Sequence, residues 1–366
     1  MSKLLLLCFT ILVFTSCQND KNDEIKIGFV AGLTGKYSTT SVKIRDGFIM
    51  AFQEIDYKIN TKKIKIIQKD DKQDPKIAKQ IVDEFIKNNV NLIVGNATSS
   101  MTKVTLDALK NKHNFLLASI TASSKEFSNK DDNFIRVQVS DSQEQYDELS
   151  LYLQKNNIKK VFFIYDKNNE NYANGFFDFF QNMLISTGGE NFIGTNTIQD
   201  SYNTILSNLK KSKYDMILIV ANSSDTANLI QRLKLNNINK QIMISQWANT
   251  SDFIEFGGKA VEGVIANSAY FTASKDIKFL EFKDRFKEFY KTDASLYEAK
   301  GYEMAQILIE NLKRTTDISK LKNEILKNKV YSGLQGDIIF NEYGDTNKKY
   351  FVTKLQNGEF IKIDNL

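Results

Sequence analysis

The chain has 366 residues, of which 42% are hydrophobic and 25% charged, close to the averages of ordinary globular proteins. This length suits two domains better than one, and it allows a sizeable core without disulfides. The 49 basic and 44 acidic side chains are interspersed, and the lack of a basic block with interleaved aromatics argues against a nucleic-acid partner.

The N-terminus has the pattern of an export signal. Lys3 precedes an apolar run over residues 4–14, which is shorter than the roughly 18 apolar residues that a membrane-spanning helix needs. Ser16 and Cys17 follow, and a polar tract begins at residue 18. This arrangement resembles a bacterial lipobox, in which the cysteine is acylated and becomes the first mature residue. The alternative is an ordinary signal peptide followed by an incidental cysteine.

We favour a lipoprotein, in which residues 1–17 form the signal with its lipidated Cys17 and residues 18–24 form a tether. The other cysteine, Cys8, lies within the signal, so the folded body is expected to contain no disulfide. The protein is therefore expected to be exported and held by lipid on a bacterial membrane, facing the periplasm or the cell exterior.

Downstream of residue 24, short β-branched segments alternate with amphipathic ones, which is typical of parallel βαβ units with right-handed crossovers. Predicted strands in the first half are residues 25–30, 64–68, 91–95, 115–120 and 133–137, separated by helices at residues 41–56, 77–87 and 102–112. Helix caps at residues 140–143 then begin a second series.

In the second series the predicted strands are residues 161–165, 193–199, 216–220, 242–247 and 263–271, and helices include one through Tyr146, Leu149 and Leu153 and others at 176–184 and 225–235. Past residue 273 the pattern predicts helices at 279–290, 297–313 and 318–327, then a β meander at 338–340 and 350–363. Two successive series without a low-complexity linker predict an α/β protein with two similar, doubly wound parallel-sheet lobes.

Motifs for catalysis are weak. Residues 30–37 faintly resemble a phosphate-binding loop, but Val30 stands where that motif needs glycine and Tyr37 where it needs Ser or Thr. The only histidine, His113, lies in a polar connection and has no second histidine for a zinc site. Asp70, Asp71 and Asp74 could together bind a divalent cation, although turn formation and helix capping explain them more simply. We expect no enzyme activity, no cofactor and no metal.

Segments spread over the chain resemble the branched-chain amino-acid-binding proteins, which are type I periplasmic substrate-binding proteins of ATP-binding-cassette (ABC) transporters. The most specific match is residues 70–78, which fit the pattern D-D-x-x-D-P-x-x-A. Further matching segments are residues 25–30, 32–35, 45–47, 51–55, 257–263, 297–299 with Tyr302, 333–336 and 339–345.

The resemblance implies two α/β lobes that are joined by three crossings and close on a ligand, which is then delivered to an ABC permease. By position, the crossings fall near residues 136–141, 266–273 and 336–340. Lobe 1 would contain residues 25–138 and 270–337, and lobe 2 residues 139–269 and 338–366.

On the lobe 1 side, two hydroxyl-rich loops follow predicted strands. Ser99 and Ser100 stand at a helix start, where hydroxyls and free amides favour a carboxylate. Thr121 and Ser123 repeat this arrangement after the next strand. In related binding proteins these two loops hold the carboxylate and ammonium of an amino acid. The alternative is that the hydroxyls only cap helices.

On the lobe 2 side, Tyr172 takes the ligand-facing place of a loop that is two residues longer than in the family, and Asn222 takes another contact position. Trp247 stands where branched-chain amino-acid binders commonly carry an acid. A cation–π contact could replace that acid, or the ligand could lack an ammonium group; a third reading is that Trp247 is a core residue. Thr40 occupies a place often held by an aromatic, and Tyr37 is expected at the cleft rim instead.

The predicted function is capture of a small polar solute, an amino acid or close analogue, and its delivery to an ABC permease. One alternative is a ligand-sensing receptor of the same fold that signals to a partner protein. A second is a nucleotide hydrolase built on residues 30–37.

Overall fold

The computed structural model describes residues 24–139, 147–348 and 350–363. The first part of the chain forms a six-stranded sheet in the order β2-β3-β1-β4-β5-β6, in which only β2 runs antiparallel. Its strands are β1 (Glu24–Ala31), β2 (Lys58–Ile59), β3 (Lys62–Asp70), β4 (Leu92–Gly95), β5 (Leu116–Ser119) and β6 (Phe134–Arg136). The crossover helices are α1 (Ser38–Gln53), α2 (Pro75–Lys87) and α3 (Ser99–Leu109).

The alternation then restarts and builds a second sheet. Its parallel strands are β7 (Val161–Tyr165), β8 (Gly194–Thr197), β9 (Met216–Val220), β10 (Gln241–Ile244) and β11 (Ile265–Ser268). The helices of this part are α4 (Asp147–Lys155), α5 (Glu170–Ser186), α6 (Tyr202–Lys211), α7 (Ser223–Leu235) and α8 (Ser251–Gly257). Strands β7 and β9 are buried along most of their length because helices cover both faces of the sheet, which explains their continuous apolar sequence.

The chain then returns to the first sheet with α9 (Ile277–Tyr290), α10 (Leu296–Leu312) and α11 (Ile318–Asn328). Helix α10 lies so close to α1 that a Cβ atom at Gly301 would stand 2.1 Å from the carbonyl oxygen of Ile44. A Cβ atom at Gly47 would stand 1.9 Å from the carbonyl oxygen of Glu298. Glycine at both positions is therefore what allows the two helix backbones to pack together.

A three-stranded antiparallel sheet follows, formed by β12 (Val330–Gly333), β13 (Gly336–Phe340) and β14 (Thr346–Asn347). The last strands, β15 (Phe351–Gln356) and β16 (Glu359–Lys362), are antiparallel and complete the second sheet in the order β16-β15-β11-β10-β9-β7-β8. We call the first sheet with α1–α3, α9–α11 and β12–β14 lobe 1, and the second sheet with α4–α8 lobe 2.

The chain passes between the lobes after β6, after β11 and between β14 and β15. The third passage comes later than the sequence boundary at residue 338 places it. Ile338 and Phe340 are each 2% exposed and lie in the lobe 1 core, because β13 pairs with β12 there. Lobe 2 resumes only with Phe351.

Two predicted elements also end or begin elsewhere. The Asp166 side chain accepts from the amide of Asn168 and starts a 3-10 turn that leads directly into α5, so Tyr172 is helical instead of lying in a loop. The strand predicted over residues 242–247 ends at Ile244, and Trp247 lies in the 3-10 turn that follows. Among the described helices, none has both the length and the apolar character needed to cross a bilayer.

Candidate functional site

A small cavity lies between the lobes, on the side where the carboxyl ends of the parallel strands meet. It has a volume of about 30 Å³. Residues of lobe 1 and the adjoining Gln138 form one wall, and residues of lobe 2 form the other. We call it the interlobe cavity. Its lining consists of Thr40, Ala97, Ser99, Thr121, Ser123, Gln138, Asn169, Tyr172, Gln246, Trp247 and Tyr297.

The lobe 1 wall is built from the two loops after β4 and β5. Thr98 caps α3 by accepting a hydrogen bond from the amide of Met101, which places Ser99 in the first helical turn. The hydroxyl of Thr121 donates to the carbonyl of Ala97 at 2.8 Å, and this bond joins the two loops. The wall therefore presents hydroxyl groups beside a helix N-terminus, a combination that favours anionic groups.

The lobe 2 wall contains two aromatic residues, Tyr172 and Trp247, beside Asn169 and Gln246. Trp247 is 9% exposed, and its ring stacks on that of Tyr37 from lobe 1 with centroids 6.1 Å apart and planes inclined by 12°. Tyr172, in the first turn of α5, meets Trp247 edge to face at 6.1 Å and 80°. The indole therefore contacts both lobes, so its position depends on their closure.

Polar contacts also join the lobes around the cavity. The Tyr37 hydroxyl donates to Asp166 Oδ2 at 2.8 Å and accepts from Asn168 Nδ2 at 2.9 Å. Burial, followed by the nearby Asp166 carboxylate, raises the pKa of Tyr37 far above its usual value, so the hydroxyl remains a donor. The amide of Ser100 donates to Asn169 Oδ1 at 3.3 Å. These bonds require the closed arrangement of the lobes.

Two ion pairs lie further out on the same rim. Lys36 Nζ is 3.1 Å from Asp225 Oδ2, and Lys43 Nζ is 3.4 Å from Asp252 Oδ2. Both lysines belong to lobe 1 and both aspartates to lobe 2. Lys36, the lysine of the segment that faintly resembles a phosphate-binding loop, therefore takes part in the contact between the lobes.

The lining residue Gln138 bonds to three other segments of the chain. Its Nε2 donates to Gln246 Oε1 at 3.3 Å and to the Tyr350 hydroxyl at 2.8 Å, while its Oε1 accepts from Lys300 Nζ. Lys300 is 1% exposed, and burial, with the charge of nearby Lys348, lowers its pKa to about 7. A buried amine thus contacts the inner side of a cavity residue.

Six of the nine predicted ligand-binding residues line the interlobe cavity: Thr40, Ser99, Thr121, Ser123, Tyr172 and Trp247. The other three do not. Ser100 bonds to Asn169 and Asn171 between the lobes, Tyr37 stacks on Trp247, and Asn222 caps α7 while donating to Asp225 Oδ2. The predicted lipidation site, Cys17, lies outside the described residues.

The sequence reasoning missed five lining residues: Ala97, Gln138, Asn169, Gln246 and Tyr297. Gln246 and Asn169 stand within three positions of Trp247 and Tyr172, so proximity in the chain was an available signal. Tyr297 comes from α10, and its hydroxyl donates to the carbonyl of Gln246 at 2.9 Å. No local pattern in the sequence reveals that this helix reaches the cavity.

The acidic cluster has structural partners. Asp71 is fully buried and accepts from Asn96 Nδ2 at 2.8 Å, and Asp74 caps α2. Asp70 accepts from backbone amides and from a threonine hydroxyl of the loop after β1. Within the described ranges no group of three metal-ligating side chains forms a candidate metal site. His113 is exposed, away from the interlobe cavity.

The chain is similar to known proteins in both sequence and fold. Residues 24–359 match the family model of the periplasmic binding proteins. The Leu/Ile/Val-binding protein of Escherichia coli (strain K12) is 20% identical over 333 residues, which cover 88% of each chain.

Two solved structures share the fold. The branched-chain amino acid transporter substrate binding protein LivJ from Streptococcus pneumoniae, in complex with isoleucine, has a TM-score of 0.82 at 22% identity, covering 93% of this chain and 100% of that one. An ABC transporter solute binding protein from R. palustris, in complex with benzoate, has a TM-score of 0.83 at 16% identity, covering 93% and 95%.

The chain therefore belongs to the periplasmic binding protein family, and its two-lobed α/β fold is the type I fold of that family. The predicted fold class is confirmed. The relatives are substrate-binding proteins of transporters and not enzymes, which also confirms the predicted class of protein.

Proposed function

We propose that this protein captures a small solute bearing a carboxylate in the interlobe cavity and delivers it to an ABC permease. The observation that carries the proposal is the pairing of the hydroxyls of Ser99 and Ser123 on lobe 1 with the rings of Tyr172 and Trp247 on lobe 2. Hydroxyls beside a helix N-terminus suit an anion, and aromatic rings suit an apolar body.

The relatives support a carboxylate as the common feature. Isoleucine and benzoate, the ligands of the two structural neighbours, share a carboxylate but differ in the rest of the molecule. The solute class proposed here is therefore amino acids or aromatic acids. Because polar contacts between the two lobes surround the cavity, we infer that the lobes close when the solute binds.

A thermal-shift screen of the mature domain against amino acids, aromatic acids, amines and sugars tests the proposal. A ligand present at 100 times its Kd is expected to stabilise the fold by about 2.7 kcal/mol. Ser123→Ala, which removes one hydroxyl of the wall, should weaken binding. Ser274→Ala, at a buried serine outside the cavity lining, is the matched control and should leave binding unchanged. Stabilisation only by solutes without a carboxylate would refute the proposal.

Anchoring and delivery need separate experiments. We propose that Cys17 carries lipid, so Cys17→Ser should move the expressed protein from the detergent phase to the aqueous phase in a partition assay.

Loss of solute uptake on deletion of the gene, restored by the native chain, would support delivery to a permease. Unchanged uptake together with a lost transcriptional or chemotactic response would favour the sensor alternative.

A further inference from the structure

The interlobe cavity has no acid on its described lining. All eleven lining residues are uncharged at neutral pH, and their side chains are hydroxyl, amide and aromatic groups and the methyl group of Ala97. A buried ammonium group needs a negative partner or a full set of acceptors, because desolvation of an unpaired charge is costly. The described lining therefore offers a carboxylate its donors but offers an ammonium group no counter-charge.

The acids that the structure describes beside the cavity already have other partners. Asp166 accepts from the Tyr37 hydroxyl, and Asp225 pairs with Lys36. Glu298 accepts from the amide of Ser295 at the start of α10. Each of these carboxylates supports a helix start or the contact between the lobes, so none is positioned to receive a ligand's ammonium group.

Trp247 is poorly placed to bind a ligand's ammonium group instead of an acidic side chain. A cation–π contact requires the cation to lie over a ring face. Tyr37 stacks on the indole with planes only 12° apart and so covers one of its two faces. Tyr172 approaches the same indole nearly at right angles. Aromatic neighbours therefore occupy much of the surface on which an ammonium group would have to lie.

Two lysine amines lie near the ring of Tyr270, and one of them contacts residues of the cavity lining. Lys300 Nζ donates to Gln138 and lies 5.7 Å from the ring centroid of Tyr297, and both of these residues line the cavity. Lys348 Nζ lies 3.7 Å from the ring centroid of Tyr270. The carboxylates near these groups are Glu303, which accepts from the Tyr270 hydroxyl, and Asp276 and Asp337, which act on Lys348.

Burial of the two amines outweighs the attraction of these carboxylates. Burial is the main cause that lowers the pKa of both lysines, which shows that their protonated forms are short of compensating charge. A ligand anion would stabilise the protonated forms of these amines, whereas a ligand ammonium would be repelled by any charge that they carry.

From this arrangement we infer that the solute is a carboxylate without an ammonium group, such as an aliphatic, aromatic or 2-oxo acid, and that free amino acids are disfavoured. The inference rests on the proposed function and narrows its solute class.

Ligand pairs with one carbon skeleton provide the test. Isothermal titration calorimetry on the mature protein would compare 4-methyl-2-oxopentanoate and 4-methylpentanoate with leucine, and 3-phenylpropanoate with phenylalanine. The acid of each pair should bind about tenfold or more tightly than its amino acid, since 1.4 kcal/mol of unpaired charge already has that effect. Tighter binding of the amino acids would overturn the inference and leave the proposed function intact. If neither acids nor amino acids bind, both fail.

A charge exchange inside the cavity provides a second test. Gln246→Glu keeps the side-chain size and adds one carboxylate to the lining, so it should narrow or reverse the preference for the acid of each pair. Gln335→Glu is the matched control, because Gln335 bonds to the backbone of Phe271 outside the cavity lining. Circular dichroism would establish that both variants fold. An unchanged preference in folded Gln246→Glu would contradict the electrostatic argument.

Discussion

The substitution Tyr37→Phe removes one hydroxyl and tests whether that hydroxyl supports closure of the lobes, as distinct from the stability of the fold. The ring and its stacking on Trp247 remain, but the bonds to Asp166 and Asn168 on lobe 2 are lost. A hydrogen bond to a charged group contributes about 1.5–3 kcal/mol, which corresponds to a rise in solute Kd of roughly 10- to 150-fold. We expect the lower end, because Asp166 still accepts from Gln199 Nε2.

The assay is calorimetric titration of the solute identified in the screen, with small-angle X-ray scattering to detect a more open average shape. Tyr302→Phe is the matched control. Its hydroxyl donates to Glu54 Oε2 at 2.6 Å and accepts from Arg285, and all three residues belong to lobe 1. This control should lower Tm but leave Kd unchanged. Equal effects of the two variants on Kd, or none from Tyr37→Phe, would refute the assignment of Tyr37 to closure.

Three further predictions concern the fold. Gly301→Ala would bring a Cβ atom against the carbonyl of Ile44 and should lower the free energy of unfolding, measured in urea, by about 1–3 kcal/mol or more. An unchanged free energy of unfolding would contradict the close helix contact. Asp345→Asn removes the carboxylate 2.7 Å from Arg136, which is 0% exposed, and should cost about 3–5 kcal/mol by the same assay; a loss below about 1 kcal/mol would contradict this. Lys300→Met tests the pKa lowered to about 7. In the unfolded chain Lys300 keeps its proton up to about pH 10.4, so the free energy of unfolding of the native chain should rise between about pH 7 and pH 10.4. Over this range the free energy of unfolding of the variant should fall relative to that of the native chain by about 1.4 kcal/mol per pH unit; a constant difference would contradict the lowered pKa.

The site was only partly predictable, and particular residues show why. Ser99, Thr121 and Ser123 could be chosen because the loops after parallel strands meet at one edge of a sheet. Gln138 and Tyr297 could not, since one lies at a passage between lobes and the other on a helix that joins lobe 1 late in the chain. Their presence in the cavity depends on how distant segments pack, which no local pattern records.

The boundary of the third passage has a similar explanation. A β meander was expected to belong to lobe 2, and β15 and β16 do complete that sheet. Strand β13 instead pairs with β12 and buries Ile338 against lobe 1. Alternating apolar residues indicate that a strand has one buried face, but they do not indicate against which core that face packs.

By itself the sequence determined the order of strands and helices, the α/β class and the presence of two lobes, because hydrophobic periodicity and glycine positions act over a few residues at a time. The tertiary structure alone decided which lobe each late element joins, that Tyr37 stacks on Trp247, and that a buried amine stands behind Gln138. These features arise from contacts between segments that are distant in the chain, so burial and electrostatics there depend on the folded arrangement and not on neighbouring residues.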